Sequence, residues 1–357
     1  MEKKPYAGTR LPHLDILRVL SILTVIFLHG STKGPLLFLQ TENTAEYWIS
    51  LFLSALIRFA VPVFFMISGA LLLGKEEGIR TVYRKRVLRM SIVFLLVSAV
   101  YYAALHFREG LQLADIGAFF RAIYTEPITA PLWYMYAYIA ALILLPFLRK
   151  LAKLMQPKDY LYLLLLRLVF VTGIAVADNF IFRAPLTAEF QIPIAVERGS
   201  FYMLMGYCVE HKLPTEKFTK KNLGLLWIAA LFFVSLCAVL THLLCLRDGY
   251  TPDTLVLYDK FTALSAIAVY ASVKALTLRR PLSEKTGKLF TLLAENVFGI
   301  YLAEKALREI LTPVYTHLQP VLTALPAAFV WTFCCFVCGE VLIFLIRRIP
   351  LARKLLG

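Results

Sequence analysis

The chain has 357 residues, 59% of them hydrophobic and 17% charged, with a net charge of +15 at pH 7 and a mean hydropathy of +0.70. Apolar usage this far above the roughly 45–50% of water-soluble domains excludes an ordinary soluble globule and makes the lipid bilayer the expected solvent. The basic excess does not imply nucleic acid as a partner, because no basic groove interleaved with aromatic residues accompanies it.

A hydrocarbon core about 30 Å thick takes about 20 apolar residues per crossing helix. Runs of that kind predict an all-α polytopic membrane protein with about ten transmembrane helices, near 14–31, 48–73, 87–106, 131–148, 160–178, 192–209, 223–246, 254–276, 289–311 and 320–346. Breakers and charges separate them, as in "GKEEG" at 74–78, "RAP" at 183–185 and "RDGYTPD" at 247–253. Alternate connections hold 25 of the 38 Lys and Arg residues, whereas the other set holds only Lys33, Arg108, Arg121, Arg183 and Arg247. The positive-inside rule then puts both termini in the cytoplasm and makes this a multi-pass plasma-membrane protein. No stretch remains for a soluble domain, so residues 1–357 read as one membrane domain with the bilayer as its first partner.

The first run follows Lys3, Lys4 and Arg10 as the core of a secretory leader would. No small-residue cleavage site comes between His29 and the polar "TENTAEY" loop, so it is expected to stay as a permanent helix. The six cysteines all fall in apolar runs, and the "CCFVC" cluster reads as core packing because no His stands beside it. No metal site is expected. Nothing resembles a phosphate-binding loop or a nucleophile elbow.

Within the first run, Arg18 and His29 are costly residues for lipid. They lie 11 residues apart, about three turns, so they share one face at an axial separation of about 16 Å. Arg18 near a helix end can snorkel to headgroups, and Asp15 one turn earlier can pair with it. A lone membrane His can be a hydrogen-bonded packing residue or a general base in a wet cavity, and the residues alone leave both open. Other charges in apolar runs are Arg58, Arg167, Asp259, Lys260, Lys274, Glu295, Glu304, Lys305, Arg308 and Glu340, of which Glu304 and Glu340 lie deepest.

The Arg18 and His29 pair, "VPVFFMISGALLLGK" (61–75), "YRKRVLRMSIVF" (83–94), "PLWYMYAYIAALILLPFLRKL" (131–151), "FYMLMGYCVE" (201–210) and "NVFGIYLAEK" (296–305), in that order, together resemble the membrane-bound acyltransferase family 3. "LDILRVLSILTVIFLHG" has the family's Arg and His separated by ten residues, and "VPVFFMISGALLLGK" (61–75) resembles its Phe-rich Ser-Gly signature, with Ser68 and Gly69. "YRKRVLRMSIVF" (83–94) resembles its Arg-x-x-Arg element, here Arg86 and Arg89. "PLWYMYAYIAALILLPFLRKL" (131–151), "FYMLMGYCVE" (201–210) and "NVFGIYLAEK" (296–305) resemble its Trp-led fourth helix, Gly-containing sixth helix and late Gly-Ile-Tyr-Leu segment. One departure stands out: the late segment usually ends Ile-His, where this chain has Ala303 and Glu304.

The resemblance implies an integral membrane O-acyltransferase that moves an acyl group, usually acetyl, from cytoplasmic acyl-CoA to a hydroxyl of a surface or lipid-linked glycan. It implies no bound cofactor, acyl-CoA serving as donor substrate. Arg84, Lys85, Arg86 and Arg89 suit the phosphates of CoA, although a basic loop without ligand has the same composition. His29 becomes the general base, Arg18 a residue of the donor channel, and Ser68 and Gly69 part of the donor path, with close helix packing the plainer reading of Gly69. Trp133 and Tyr134 are assigned to the acceptor, although an interfacial aromatic belt would also explain them. Glu304 is placed with the acceptor as the stand-in for the usual His. The rival readings are a transporter of a small solute such as an amino acid, for which no internal repeat is evident, and a non-catalytic assembly partner.

Overall fold

The computed structural model describes residues 10–40, 44–107, 115–190, 192–214 and 217–356. Lys3, Lys4, Arg108 and the first three residues of the "TENTAEY" loop lie outside them. The described residues form helices joined by turns, without a strand. In chain order the helices are α1 (Pro12–Leu28), α2 (Ala45–Leu56), α3 (Ala60–Leu72), α4 (Leu88–His106), α5 (Asp115–Thr125), α6 (Trp133–Leu154), α7 (Pro157–Arg167) and α8 (Arg198–Tyr207). They continue as α9 (Lys220–Asp248), α10 (Ala263–Arg279), α11 (Glu284–Ile310), α12 (Thr312–Leu322), α13 (Ala324–Ile346) and α14 (Pro350–Leu356).

α1 is the axle of the bundle and packs against α3, α10, α11 and α13. It starts at Pro12, whose ring presets the helical φ where no N–H partner is needed. Leu14, Leu17, Ile22, Val25 and Ile26 are buried on several sides, as a helix surrounded by other helices requires. The helix stops at Leu28, with His29 as its C-cap; after Gly30, Ser31 takes a positive φ of 53°. A side chain at Gly30 would press on the Phe27 carbonyl and the Trp331 indole, so that turn lies close under α13.

α3 and α8 cross with their backbones in contact. A Cβ at Gly69 would overlap the Met203 backbone, and one at Gly206 would overlap the backbone of Met66. Small residues facing each other in this way let two membrane helices approach until dispersion alone holds them.

The peripheral helices present apolar stripes outward. On α4 these are Leu88, Ile92, Leu96 and Val100, spaced by four, and on α9 Leu225, Ile228, Phe232, Val239, Leu243 and Leu246. Stripes this long on one face are what lipid tails cover.

Among the described residues, six helices are long and apolar enough to cross a membrane: Ala45–Leu72, Ile79–His106, Ala130–Leu154, Pro157–Ile181, Lys220–Asp248 and Ala324–Ile346. A seventh candidate is the pair Pro252–Lys260 and Ala263–Arg279, bent by 55°. The other expected spans fall short for physical reasons. α1 has 17 residues, the 192–209 run is broken where Glu197 caps α8, and α11 carries Glu295, Glu304, Lys305 and Arg308. α1, α8 and α11 also pack in the main core.

The connections rich in Lys and Arg gather at one end. Arg149 Nη2 meets Glu77 at 2.8 Å, Lys153 meets Glu76 at 2.8 Å, and Lys212 Nζ donates to the Lys153 carbonyl at 3.0 Å. The terminal helix α14 lies across this basic end against α4 and α11, held by the half-buried Leu355 and Leu356.

Candidate active site at the junction of two cavities

Two cavities meet at His29. The larger, about 890 Å³, has Arg10, Arg18, Arg86, Arg89, Arg347, Arg353 and Lys354 around its basic end and reaches Ser68, Trp133, Tyr134, Tyr301 and His29. The smaller, about 510 Å³, lies beyond His29 and is lined by Arg58, Arg198, Asp259, Tyr202, Thr262 and Arg308. His29 borders both, together with Val61, Pro131 and Trp133.

The imidazole is fixed from behind. Its Nδ1 lies 2.9 Å from Glu304 Oε1, and the side chain of Glu304 is fully buried. Arg308 ties the pair together, its Nε donating to Glu304 Oε2 at 2.5 Å and its Nη1 to the His29 carbonyl at 2.7 Å. An ionised carboxylate can only accept, so Nδ1 carries the proton and donates it to Glu304. The lone pair is then on Nε2, the nitrogen that the Glu304 contact leaves free. This is the carboxylate–imidazole arrangement that sets a base's tautomer and steadies its charged form.

Arg18 is held three turns away on the same helix. Its Nη1 meets Asp15 Oδ1 at 2.8 Å, and Arg10 Nε takes Asp15 Oδ2 at 2.7 Å, so one buried carboxylate aligns two guanidiniums on the cavity wall. Arg10 continues to Glu295 at 2.9 Å. Arg86 forms a fork on Glu77, at 2.7 Å from Oε1 and 3.0 Å from Oε2. The Arg86 hydrogen bond, helped by Arg149, holds the Glu77 carboxyl at about 2, far below its ordinary 4.5. Arg89, Arg353 and Lys354 have no acidic partner among the described residues.

The residues singled out from the sequence divide by position. Arg18, His29, Ser68, Arg86, Arg89, Trp133 and Tyr134 border the larger cavity. Arg84 and Lys85 do not: they are exposed, because residues one and two positions from Arg86 point to other sides of the helix. Gly69 lies under Met203 in the α3–α8 crossing. Glu304, expected at the acceptor, is sealed behind His29 and borders neither cavity. The Ser68 hydroxyl donates to the Phe64 carbonyl at 3.0 Å, so toward the cavity it offers only its oxygen.

Trp133 and Tyr134 are packed rather than free. Arg198 covers the Trp133 ring at 4.7 Å, and Tyr134 stacks on Tyr138 at 5.7 Å. Residues that the motifs did not indicate also line the site: Arg10, Arg347, Arg353 and Lys354 in the larger cavity and Arg198 in the smaller. In the sequence the first four were visible only as orientation charges, and Arg198 carried no signal of its own.

A family model described as an acyltransferase domain, that of acyltransferase family 3, matches residues 11–344. No curated protein and no solved structure matches the chain. The match covers α1 and the whole of the His29 junction and stops before Arg347 and α14.

Proposed function

The chain belongs to acyltransferase family 3 and is a membrane acyltransferase, and from that premise we propose that it transfers an acetyl group from acetyl-CoA to a hydroxyl of a cell-surface or lipid-linked glycan. In this reading α1, the segment 192–209 and α11 also cross the bilayer, enclosed by the more apolar helices. The chain then makes ten crossings of the plasma membrane, with both termini and the basic end in the cytoplasm.

The observation that carries the proposal is the position of His29. A transfer between two compartments needs a base that one substrate reaches from each side, and His29 borders both cavities. The donor enters the larger cavity with its phosphates among the mouth cations, where Arg89, Arg353 and Lys354 have charge to spare. The pantetheine arm extends past Arg18 and Ser68, bringing the thioester to His29. The acceptor occupies the smaller cavity.

His29 Nε2 then takes the proton of the acceptor hydroxyl as its oxygen bonds to the thioester carbonyl carbon. The carbon–sulfur bond breaks as the tetrahedral intermediate collapses, and the CoA sulfur leaves with the proton that His29 gives back. Glu304 positions the ring and stabilises the imidazolium between the two steps. The substitution of Glu for the family's usual His at 304 thus keeps a partner for the base and makes it an anion.

The test is transfer of radiolabelled acetyl from acetyl-CoA to envelope glycan by membranes containing the protein. His29→Ala is expected to lower transfer by about 10²–10⁴-fold while the folded protein remains in the membrane at unchanged abundance. Full activity in that variant removes the base assignment.

A further inference from the structure

The smaller cavity carries a charge pattern that acyl transfer itself does not need. Its wall has three guanidiniums, from Arg58, Arg198 and Arg308, and one carboxylate, Asp259. Glu304 neutralises Arg308 from behind. Arg58 and Arg198 divide Asp259 between them, at 3.7 and 3.0 Å, so two cations share one anion. Both are braced on rings, Arg58 over Tyr258 at 5.2 Å and Arg198 over Trp133 at 4.7 Å. A guanidinium has five donors in a planar fork that fits a carboxylate or phosphate, and one shared Asp leaves much of both forks unused.

The wall of this cavity carries more guanidinium than carboxylate among the described residues, and such a wall favours an anionic ligand. A neutral sugar would not compensate that charge. We propose that the acceptor is an anionic sugar unit, whose carboxylate or phosphate occupies Arg58 and Arg198 while a hydroxyl of the same unit lies at His29. This rests on the reading of the smaller cavity as the acceptor side. A pocket of this size is in the range that encloses a small organic ligand. The bracing of both arginines means that little side-chain freedom is lost when the anion arrives. Asp259 sets the strength of the site by competing for the same forks.

The experiment measures acetyl transfer from labelled acetyl-CoA by the full-length protein in detergent, with two matched pairs of acceptors. p-Nitrophenyl β-D-glucuronide against p-nitrophenyl β-D-glucoside tests a carboxylate, and glucose 1-phosphate against methyl glucoside tests a phosphate. The anionic member of at least one pair is expected to have a kcat/KM about tenfold higher or more, the effect of one charge-assisted hydrogen bond. The pair that responds identifies the anion. Arg58→Gln and Arg198→Gln should each bring the ratio close to one, and Arg198→Lys should keep part of it. Asp259→Asn should widen the ratio, which a merely structural Asp259 would not do.

Equal use of charged and neutral probes, no transfer to any of the four by protein that turns over acetyl-CoA, or a preference that survives both Arg→Gln changes would each overturn the inference. The wider reading fails separately. If His29→Ala retains transfer, the base is elsewhere; if transfer depends on His29 but ignores acceptor charge, only the anionic acceptor is lost.

Discussion

In the larger cavity Arg89, Arg353 and Lys354 stand at the basic mouth without acidic partners among the described residues, whereas in the smaller one Arg58 and Arg198 are braced on aromatic rings and share Asp259. The difference fits the distance between recognition and chemistry. Loose cations at a mouth suit a long donor whose phosphates lie far from its thioester, because small errors there do not reach the reacting carbon. Braced cations beside the base suit a group attached to the same small unit as the attacking hydroxyl. If this contrast is right, substitutions at the mouth change donor KM, those at the junction change kcat, and those in the smaller cavity change acceptor choice.

The largest effect belongs to the junction that both cavities share. His29→Ala should lower kcat by about 10²–10⁴-fold in the labelled-transfer assay, the usual worth of a general base, with little change in donor KM. An equal change in KM would blur the contrast by giving His29 a binding role.

Next comes Glu304→Gln, which keeps the size of the side chain and removes its charge. Its amide can donate to Nδ1 and so move the proton to the nitrogen that must be bare, an error worth at most about 10⁴-fold, as in the Ser-His-Asp triad. Glu304→Asp should recover part of the loss. A variant with normal kcat would reduce Glu304 to packing.

The mouth should respond more weakly. The pair Arg353→Gln, Lys354→Gln is expected to raise the acetyl-CoA KM about 30-fold, each lost phosphate contact being worth roughly 1 kcal/mol, with kcat retained. Because α14 lies beyond the family-matched residues, a relative lacking it should bind donor like this variant. Unchanged KM would mean that the donor phosphates sit elsewhere.

The smallest effect is on stability. The folded state holds Glu77 at about 2 against an ordinary 4.5, so its contribution is complete above pH 4.5 and lost as pH falls from 4.5 toward 2. The melting temperature in detergent should fall through that window in the native protein and fall less in Glu77→Gln. At pH 7 the variant should melt about 2–4 °C lower, for a loss of roughly 1–2 kcal/mol. Donor KM should move little, because Arg86 keeps its place on the wall through its helix. Identical pH curves would show that the Arg86–Glu77 fork carries no net stability.

Much of the peripheral fold is legible in the linear pattern. The stripes of α4 and α9 follow the helical period, and lipid rewards that period directly. The helices α1 and α11 fall outside the same pattern, α1 because it has 17 residues and α11 because it carries Glu295, Glu304, Lys305 and Arg308. The site shows the same division. Arg18 and His29 share a face because 11 residues make about three turns of one helix. The pairing of His29 with Glu304 spans 275 positions, and no helical period predicts it. Close packing at Gly69 is legible from its residue type, and the crossing supplies the partner, the Met203 backbone.

What this sequence determines alone is local: which residues form helices, which faces are apolar, which charges share a turn, and which family the order of motifs resembles. Those follow from helix geometry and hydrophobicity, which act over a few residues at a time. The tertiary structure decides which faces meet. It brings Glu304 behind His29, Arg198 and Asp259 beside Arg58, and α14 over the basic mouth of the larger cavity. Each of these depends on how close two helices can pack and on which buried charge finds a partner, so each is a property of the assembled bundle.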